Sequence, residues 1–316
     1  MPAPGLDGPS QRNAGSAAGA RMARLVAHLP DAAAVEQVFG DGEALSIGRA
    51  AGNGFCLPHP SVSRTHATLE PGADGWRLHD LGSRNGSFVD GVAPGEGRVV
   101  PRSAWLRFGD VHCEFTELDP AQAQANRART QARRAAATAH TARIDGVRGL
   151  DELLDASLHG VLDLAQCERG FVLLRDGDGF AVRNSISLDP AQLRARDFSG
   201  SVGAVRRALD ERRSVIANDI GGDAWLSARA SVVAGGLSAL VCLPLFDGER
   251  ALGAIYADRT RAAAPITRLD QELLEAFAER AALWIVARRA SELLGARDDA
   301  APDWGAILAV HQDARP

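Results

Sequence analysis

Lysine is absent from this chain of 316 residues, so all 35 of its lysine-or-arginine positions are arginine. That excludes a Walker A lysine, the phosphate-pairing lysine of a kinase and a lysine Schiff base. Cysteine is sparse: Cys56, Cys113, Cys167 and Cys242 lie far apart, which suits reduced, buried thiols and not a disulfide framework or a paired-cysteine zinc site. Cys56 and His59 have zinc-like spacing, but the nearest second pair, His112-Cys113, is adjacent in sequence, so no metal is expected. No stretch approaches the ~18 consecutive apolar residues that cross a bilayer, and no apolar signal segment opens the chain. With a formal net charge of −5 there is no basic surplus for phosphate-backbone binding, which argues against a direct nucleic-acid partner. A cytoplasmic location without membrane contact is the expectation.

What is present divides into two globular units, as a domain size of roughly 150 residues suggests. Residues 1–21 are rich in Ala, Gly, Pro and Ser and read as a disordered tail. From 22 to 118, short apolar runs such as Leu25–Leu29, Ala44–Ile47, Ala67–Leu69, Trp76–Leu78 and Val111–Phe115 alternate with Gly/Asp turns. This is the pattern of an all-β sandwich. Residues 119–148 turn to Ala, Gln, Arg and Thr and predict a helical, solvated linker. Residues 149–290 mix helical periodicity at Leu150, Leu153, Leu154, Leu158, Val161 and Leu162 with strands at Gly170–Leu174, Phe180–Ile186, Ser214–Ala217, Leu240–Leu245 and Leu252–Tyr256. Helices are expected at Val202–Glu211, near Ala224–Val233, and from Thr267, which with Asp270 resembles a capping box. The second unit is therefore α+β, with an antiparallel sheet and flanking helices, and 291–316 reads as a C-terminal tail.

Three loops of the β unit carry similar equipment: Gly48-Arg49, then Ser61-Val62-Ser63-Arg64-Thr65-His66, then Leu81-Gly82-Ser83-Arg84-Asn85-Gly86-Ser87. If one end of the sandwich gathers them, Arg49, Arg64 and Arg84 converge with the hydroxyls of Ser63 and Ser83 and the Asn85 amide. Guanidinium forks match phosphate oxygens bidentately. Gly48 and Gly86 permit close backbone approach or positive φ. In order and spacing these motifs, with Phe88-Val89-Asp90-Gly91 following, resemble a forkhead-associated (FHA) domain. The resemblance implies an eleven-stranded sandwich that binds phosphothreonine peptides without catalysis. Arg49 and Ser63 would bind phosphate, Arg64 and Arg84 would assist, Asn85 would hold the peptide main chain, and His66 would brace the loops. Asp90 stands where many members have Asn, so repulsion of acidic residues flanking the phosphate is expected. Ser63, His66 and Asp80 are also the residue types of a hydrolase triad, but no nucleophile elbow surrounds any serine.

In the second unit, Cys167–Leu174, Val241–Leu245 and Gly253–Asp258 resemble a GAF domain. The resemblance implies either a small molecule held between the sheet and its covering helices, or dimerisation through the terminal helices. Asp219, Trp225 and Arg229 fall in the covering segment and are the candidate pocket residues. No cofactor is identified, and the asparagine-lysine-phenylalanine-aspartate-glutamate pattern of cyclic-nucleotide binders cannot be completed without lysine. Cys242 reads as a buried thiol or an attachment point. A stripe at Leu274, Ala278, Ala282 and Ile285 could serve a homodimer or a wide intradomain face. Thr130, Thr138 and Thr141 are candidate kinase substrates, with Ile144 three residues after Thr141.

The resemblances lead to the expectation of a non-enzymatic bacterial signalling adaptor for a threonine-phosphorylated protein, which implies a Ser/Thr kinase. The alternative is a stand-alone sensory component of a transcription-control system, because FHA–GAF pairs resemble the front end of enhancer-binding activators. Such activators continue into an ATPase and a helix-turn-helix.

Overall fold

The computed structural model describes residues 21–30, 32–40, 42, 44–188, 199–218 and 237–298. The first unit is built from β1 (Met22–His28), β2 (Val35–Gly40), β3 (Leu45–Gly48), β4 (Phe55–Cys56), β5 (Ala67–Gly72), β6 (Gly75–Asp80), β7 (Ser87–Val89), β8 (Arg98–Val100), β9 (Ser103–Phe108) and β10 (Val111–Leu118). They form two five-stranded sheets in the orders β2-β1-β10-β9-β7 and β4-β3-β5-β6-β8. Period-2 alternation explains the packing: along β9, Ala104, Leu106 and Phe108 are buried while Ser103 and Trp105 face out. Ten strands, not eleven, occur among the described residues of this unit. The stretch between β7 and β8 makes only an isolated Val89–Val92 bridge. Asp90 and Gly91 both take positive φ there, and Gly95 and Gly97 do so again, which ends pairing.

The second unit comprises α1 (Pro120–Gly146), α2 (Leu150–Ala165), β11 (Arg169–Asp176), β12 (Gly179–Ile186), α3 (Ser199–Glu211), β13 (Val215–Asn218), β14 (Ala239–Asp247), β15 (Arg250–Arg259) and α4 (Arg268–Asp298). Its antiparallel sheet runs β12-β11-β15-β14-β13. One face packs on α1, α2 and α4 through Val172, Leu174, Val241, Leu243 and Ile255. The opposite face packs on α3 through Phe171, Ala254, Tyr256, Ala204, Val205 and Ala208. The α+β class and the antiparallel sheet read from the sequence are those observed.

Two expectations change, and an alternative left open for the last helix is resolved. The stretch read as a solvated linker is a packed helix. α1 opens with a capping box, Asp119 accepting from Gln122 N at 2.8 Å and Gln122 Oε1 accepting from Asp119 N at 2.9 Å. It buries Ala123, Ala137 and Ile144, and Asp145 accepts from Arg280 Nε (2.8 Å) and Trp284 Nε1 (2.6 Å) of α4. The expected tail from 291 begins as helix, because α4 runs to Asp298. The stripe at Leu274, Ala278, Ala282 and Ile285 is buried within this chain, so it forms the wide intradomain face and leaves no homodimer seam there. The capping box at α4 is present: Thr267 N donates to Asp270 Oδ2 at 2.8 Å, and Asp270 N donates to Thr267 Oγ1 at 3.4 Å.

Candidate functional site

The loops after β3, before β5 and after β6 meet at one end of the sandwich, and main-chain bonds hold them there. Arg49 N donates to Ser63 O (2.8 Å), and Ala50 N donates to Arg64 O (3.1 Å). Arg84 N donates to Ser63 Oγ at 3.0 Å, and Asn85 Nδ2 donates to Ser61 O at 2.7 Å. Gly48 is required by this join, since a Cβ there would lie 2.3 Å from Arg64 O. Gly86 takes φ +74°, which favours glycine, and its carbonyl is 3.2 Å from His66 Nε2.

His66 is fully buried and edge-on to Phe108. Its Nδ1 accepts from Ser63 N at 3.0 Å, so Nε2 carries the proton that faces Gly86 O. Burial, against the Gly86 carbonyl and the Asp80 charge, holds its pKa below the ordinary histidine value. Asp80 accepts from Ser83 N (2.8 Å), Ser83 Oγ (2.7 Å) and Ser87 Oγ (2.5 Å). Burial opposes its charge, but those bonds and His66 outweigh it and keep the carboxyl below its usual range.

The predicted residues therefore separate into two sets. Arg49, Arg64 and Arg84 are exposed, and among the described residues none forms an ion pair. Arg49 makes one side-chain bond, Nε to Val62 O at 3.2 Å. Ser63 Oγ accepts from Arg84 N, which leaves its proton to give, and Asn85 keeps Oδ1 and a second N–H. Gly48, His66 and Gly86 brace the loops. Ser83 belongs with the bracing residues, because its hydroxyl proton goes to Asp80. The Ser63–His66–Asp80 triad geometry is not made: both His66 nitrogens face backbone groups, so His66 is not placed as a base for the Ser63 hydroxyl. Asp90 sits in the turn after β7, and its Oδ1 accepts from Trp105 N at 2.8 Å.

Sequence reasoning missed Ser61. Its Oγ accepts from Asp110 N (2.9 Å) and lies 2.7 Å from His59 Nδ1, while its carbonyl anchors Asn85. A serine two positions before Ser63 carries no chemical signal of that role. Asn53 was also missed; its amide clamps Ala50 O at 2.8 Å and Arg64 O at 2.7 Å.

In the second unit Asp219, Trp225 and Arg229, with the helix expected near Ala224–Val233, lie outside the described residues. Among the described residues, one cavity of this unit, about 520 Å3, lies between α3 and the β11–β12 side of the sheet. Its walls are mainly apolar, with Phe171, Leu173, Phe180, Val182, Val205 and Leu209, and Arg206 and Asp210 contribute charge. Behind it Phe171 stacks on Tyr256 at 5.1 Å, and the Tyr256 hydroxyl donates to Asp258 Oδ2 at 2.8 Å. Cys242 is fully buried and burial drives its thiol far above the ordinary range, which is the inert reading and not the attachment point. Burial likewise pushes Cys167 up to about 12. The linker threonines bond inside α1: Thr130 to Asn126 O, Thr138 to Arg134 O and Thr141 to Ala137 O. Ile144 is buried, so the sequence around Thr141 is not displayed as an extended peptide.

A β-sandwich with an arginine-bearing loop cluster, followed by a sheet between helical layers with a cavity on one face, defines a protein built from two binding modules. Family models match an FHA domain over residues 45–111 and a GAF domain over residues 149–285, so the chain carries these two domains in that order. Both are non-catalytic binding domains as classes. The FHA domain of the CT664 protein from Chlamydia trachomatis is 24% identical, covering 31% of this chain and 99% of that one, with a TM-score of 0.29. EmbR from Mycobacterium tuberculosis, solved with a low-affinity phosphopeptide, is 26% identical over 29% of this chain and 24% of that one, TM-score 0.24. The GAF domain of a protein described as a sensor histidine kinase from Pseudomonas syringae pv. tomato is 15% identical over 55% of this chain and 99% of that one, TM-score 0.39. Comparison with curated proteins finds no match. No helix among the described residues is long and apolar enough to cross a membrane.

Proposed function

We propose that this chain is a non-enzymatic signalling adaptor of the bacterial cytoplasm. Its FHA domain captures a protein phosphorylated on threonine, the product of a Ser/Thr kinase, and its GAF domain senses a small molecule or mediates dimerisation. The observation that carries the reading is the set of three guanidinium groups, Arg49, Arg64 and Arg84, which have no acidic partner among the described residues and sit on loops tied together at Ser61 and Ser63. A dianionic phosphate supplies the missing countercharge, and each charge-assisted bond is about twice as strong as a neutral one. Ser63 adds a hydroxyl donor, and Asn85 offers both a donor and an acceptor to a peptide backbone. The apolar GAF cavity suits a compact organic molecule.

The test is titration of a phosphothreonine peptide library against wild type and Arg49→Ala, with unphosphorylated peptides as the control. Truncating a phosphate-bonded arginine costs about 2 kcal/mol or more, an affinity loss of at least roughly thirtyfold. Equal binding by both proteins, or none by either, overturns the reading.

A further inference from the structure

The two domains meet through main chain as well as side chains. The loop between β1 and β2 leaves the FHA sandwich and enters the GAF domain. Ala34 N donates to Ile266 O at 2.9 Å, and Arg268 N donates back to Ala34 O at 2.8 Å, which makes Ala34 and Thr267 a parallel bridge. Ala33 is buried in the GAF core together with Ile266. Asn218, the last residue of β13, accepts from Ile266 N at 2.8 Å, donates to Ile266 O at 3.0 Å, and reaches Ala32 O at 3.5 Å. Beside this clasp, Arg133 of α1 pairs with Asp270 at 3.1 Å, both side chains largely out of solvent. The other half of α1 holds the FHA sheet: Asn126 and Arg129 bond Glu36 on β2 at 3.1 and 3.3 Å.

The clasp leaves the sandwich at its ligand end. His28, where β1 ends, pairs with His112. His112 follows the Gly109-Asp110 turn, which bonds Gly86 O and Ser61 Oγ of the arginine-bearing loops. Separate domains joined by a linker move independently unless the interface is substantial. Here one domain donates a buried residue to the other's core and completes its main-chain bonding.

We propose that the β1–β2 loop is an integral part of the GAF domain, so that FHA and GAF unfold as one cooperative unit and a ligand bound to either stabilises both. No dedicated relay of side chains is needed. A ligand that binds only the folded unit shifts the unfolding of everything in that unit by mass action. The part that concerns peptide rests on the phosphothreonine-binding reading; the cooperativity does not.

The experiment is thermal unfolding of the full chain with hydrogen-exchange mass spectrometry reading each core separately, β9–β10 for the FHA domain and β14–β15 for the GAF domain. In wild type both cores lose protection at one midpoint. Ala34→Pro removes the N–H given to Ile266, and Asn218→Ala removes the side-chain bracket with no backbone change; in each, the midpoints separate. Distinct midpoints in wild type, or a shared midpoint that survives both substitutions, overturns the proposal. A library phosphothreonine peptide at about one hundred times its Kd then raises both wild-type midpoints, by about 5 °C, and only the FHA midpoint in Asn218→Ala. Protection confined to the FHA core in wild type overturns the coupling, whereas absence of any binding peptide overturns the phosphothreonine reading and leaves the unfolding result standing.

Discussion

Ser63 and Ser83 are the same residue type on neighbouring loops, yet the fold assigns their hydroxyl protons differently. Ser83 gives its proton to Asp80, while Ser63 Oγ accepts from Arg84 N and keeps its own. Ser63→Ala is therefore expected to weaken phosphothreonine-peptide binding by about tenfold, the worth of one bond to a charged group. Ser83→Ala should leave the affinity within about twofold and lower the melting temperature instead. Calorimetric titration and thermal unfolding of the two variants separate these outcomes. The buried imidazole behind them sets a pH dependence. Unfolded His66 takes up a proton near pH 6.5, whereas burial keeps the folded ring from doing so until lower pH. Between those two values the unfolded state binds more protons, so stability rises with pH there and is lost as pH falls below about 6.5. Asp80 has a depressed folded pKa, so its contribution is complete above the ordinary Asp value and disappears only as pH falls through the lower folded one. NMR titration of His66 should give a midpoint below 6.5, alongside FHA unfolding midpoints that decline from pH 7 to 5. A midpoint at or above 6.5 contradicts this account.

Among the elements, what the sequence announced best was what repeats. The strands of both domains show in their apolar runs, and the arginine loops show because glycine, serine and arginine recur between strands at fixed intervals. α1 was legible as a helix but not as a packed one. Ile144 is its one large apolar residue in contact with the GAF core, and the rest of its contact uses alanine and polar bonds such as Asp145 to Arg280 and Trp284. Alanine favours helix whether exposed or buried, so composition does not distinguish a strut from a solvated spacer. The cavity was hidden for a related reason. Along β11, Phe171, Val172 and Leu174 are all buried, so periodicity does not say which face is closely filled and which is hollow. Ile144 distinguishes the two views of α1. Ile144→Ala should cost about 2–5 kcal/mol, the loss typical of a core position, whereas an exposed linker position would change stability by less than about 0.5 kcal/mol. Urea unfolding of the full chain measures the difference.

For the molecule as a whole, the stretch matched by the GAF family and the stretch that packs as a unit have different limits. The family match begins at residue 149, but α1 starts at Pro120, buries Ala137 and Ile144 against the GAF helices, and supplies Arg133 to Asp270 and Asp145 to Arg280 and Trp284. Removing α1 would expose apolar surface of α2 and α4 to water and leave Asp270, which is nearly buried, without its arginine. Losing the partner of a buried charge is costly because the charge remains desolvated, and each apolar side chain returned to solvent adds about 1.5–3 kcal/mol. A fragment spanning residues 149–298 should therefore melt at least about 10 °C below one spanning 120–298, the shift expected for a loss of several kcal/mol in a domain of this size. The longer fragment still lacks the β1–β2 loop that covers Ile266, so it should in turn melt below the GAF core of the full chain. Thermal unfolding of the three proteins, followed by far-ultraviolet circular dichroism and by hydrogen exchange in β14–β15, orders them. Equal midpoints for the two fragments would reduce α1 to a spacer, while equal midpoints for the longer fragment and the full chain would leave the FHA loop a contact without consequence for the GAF fold.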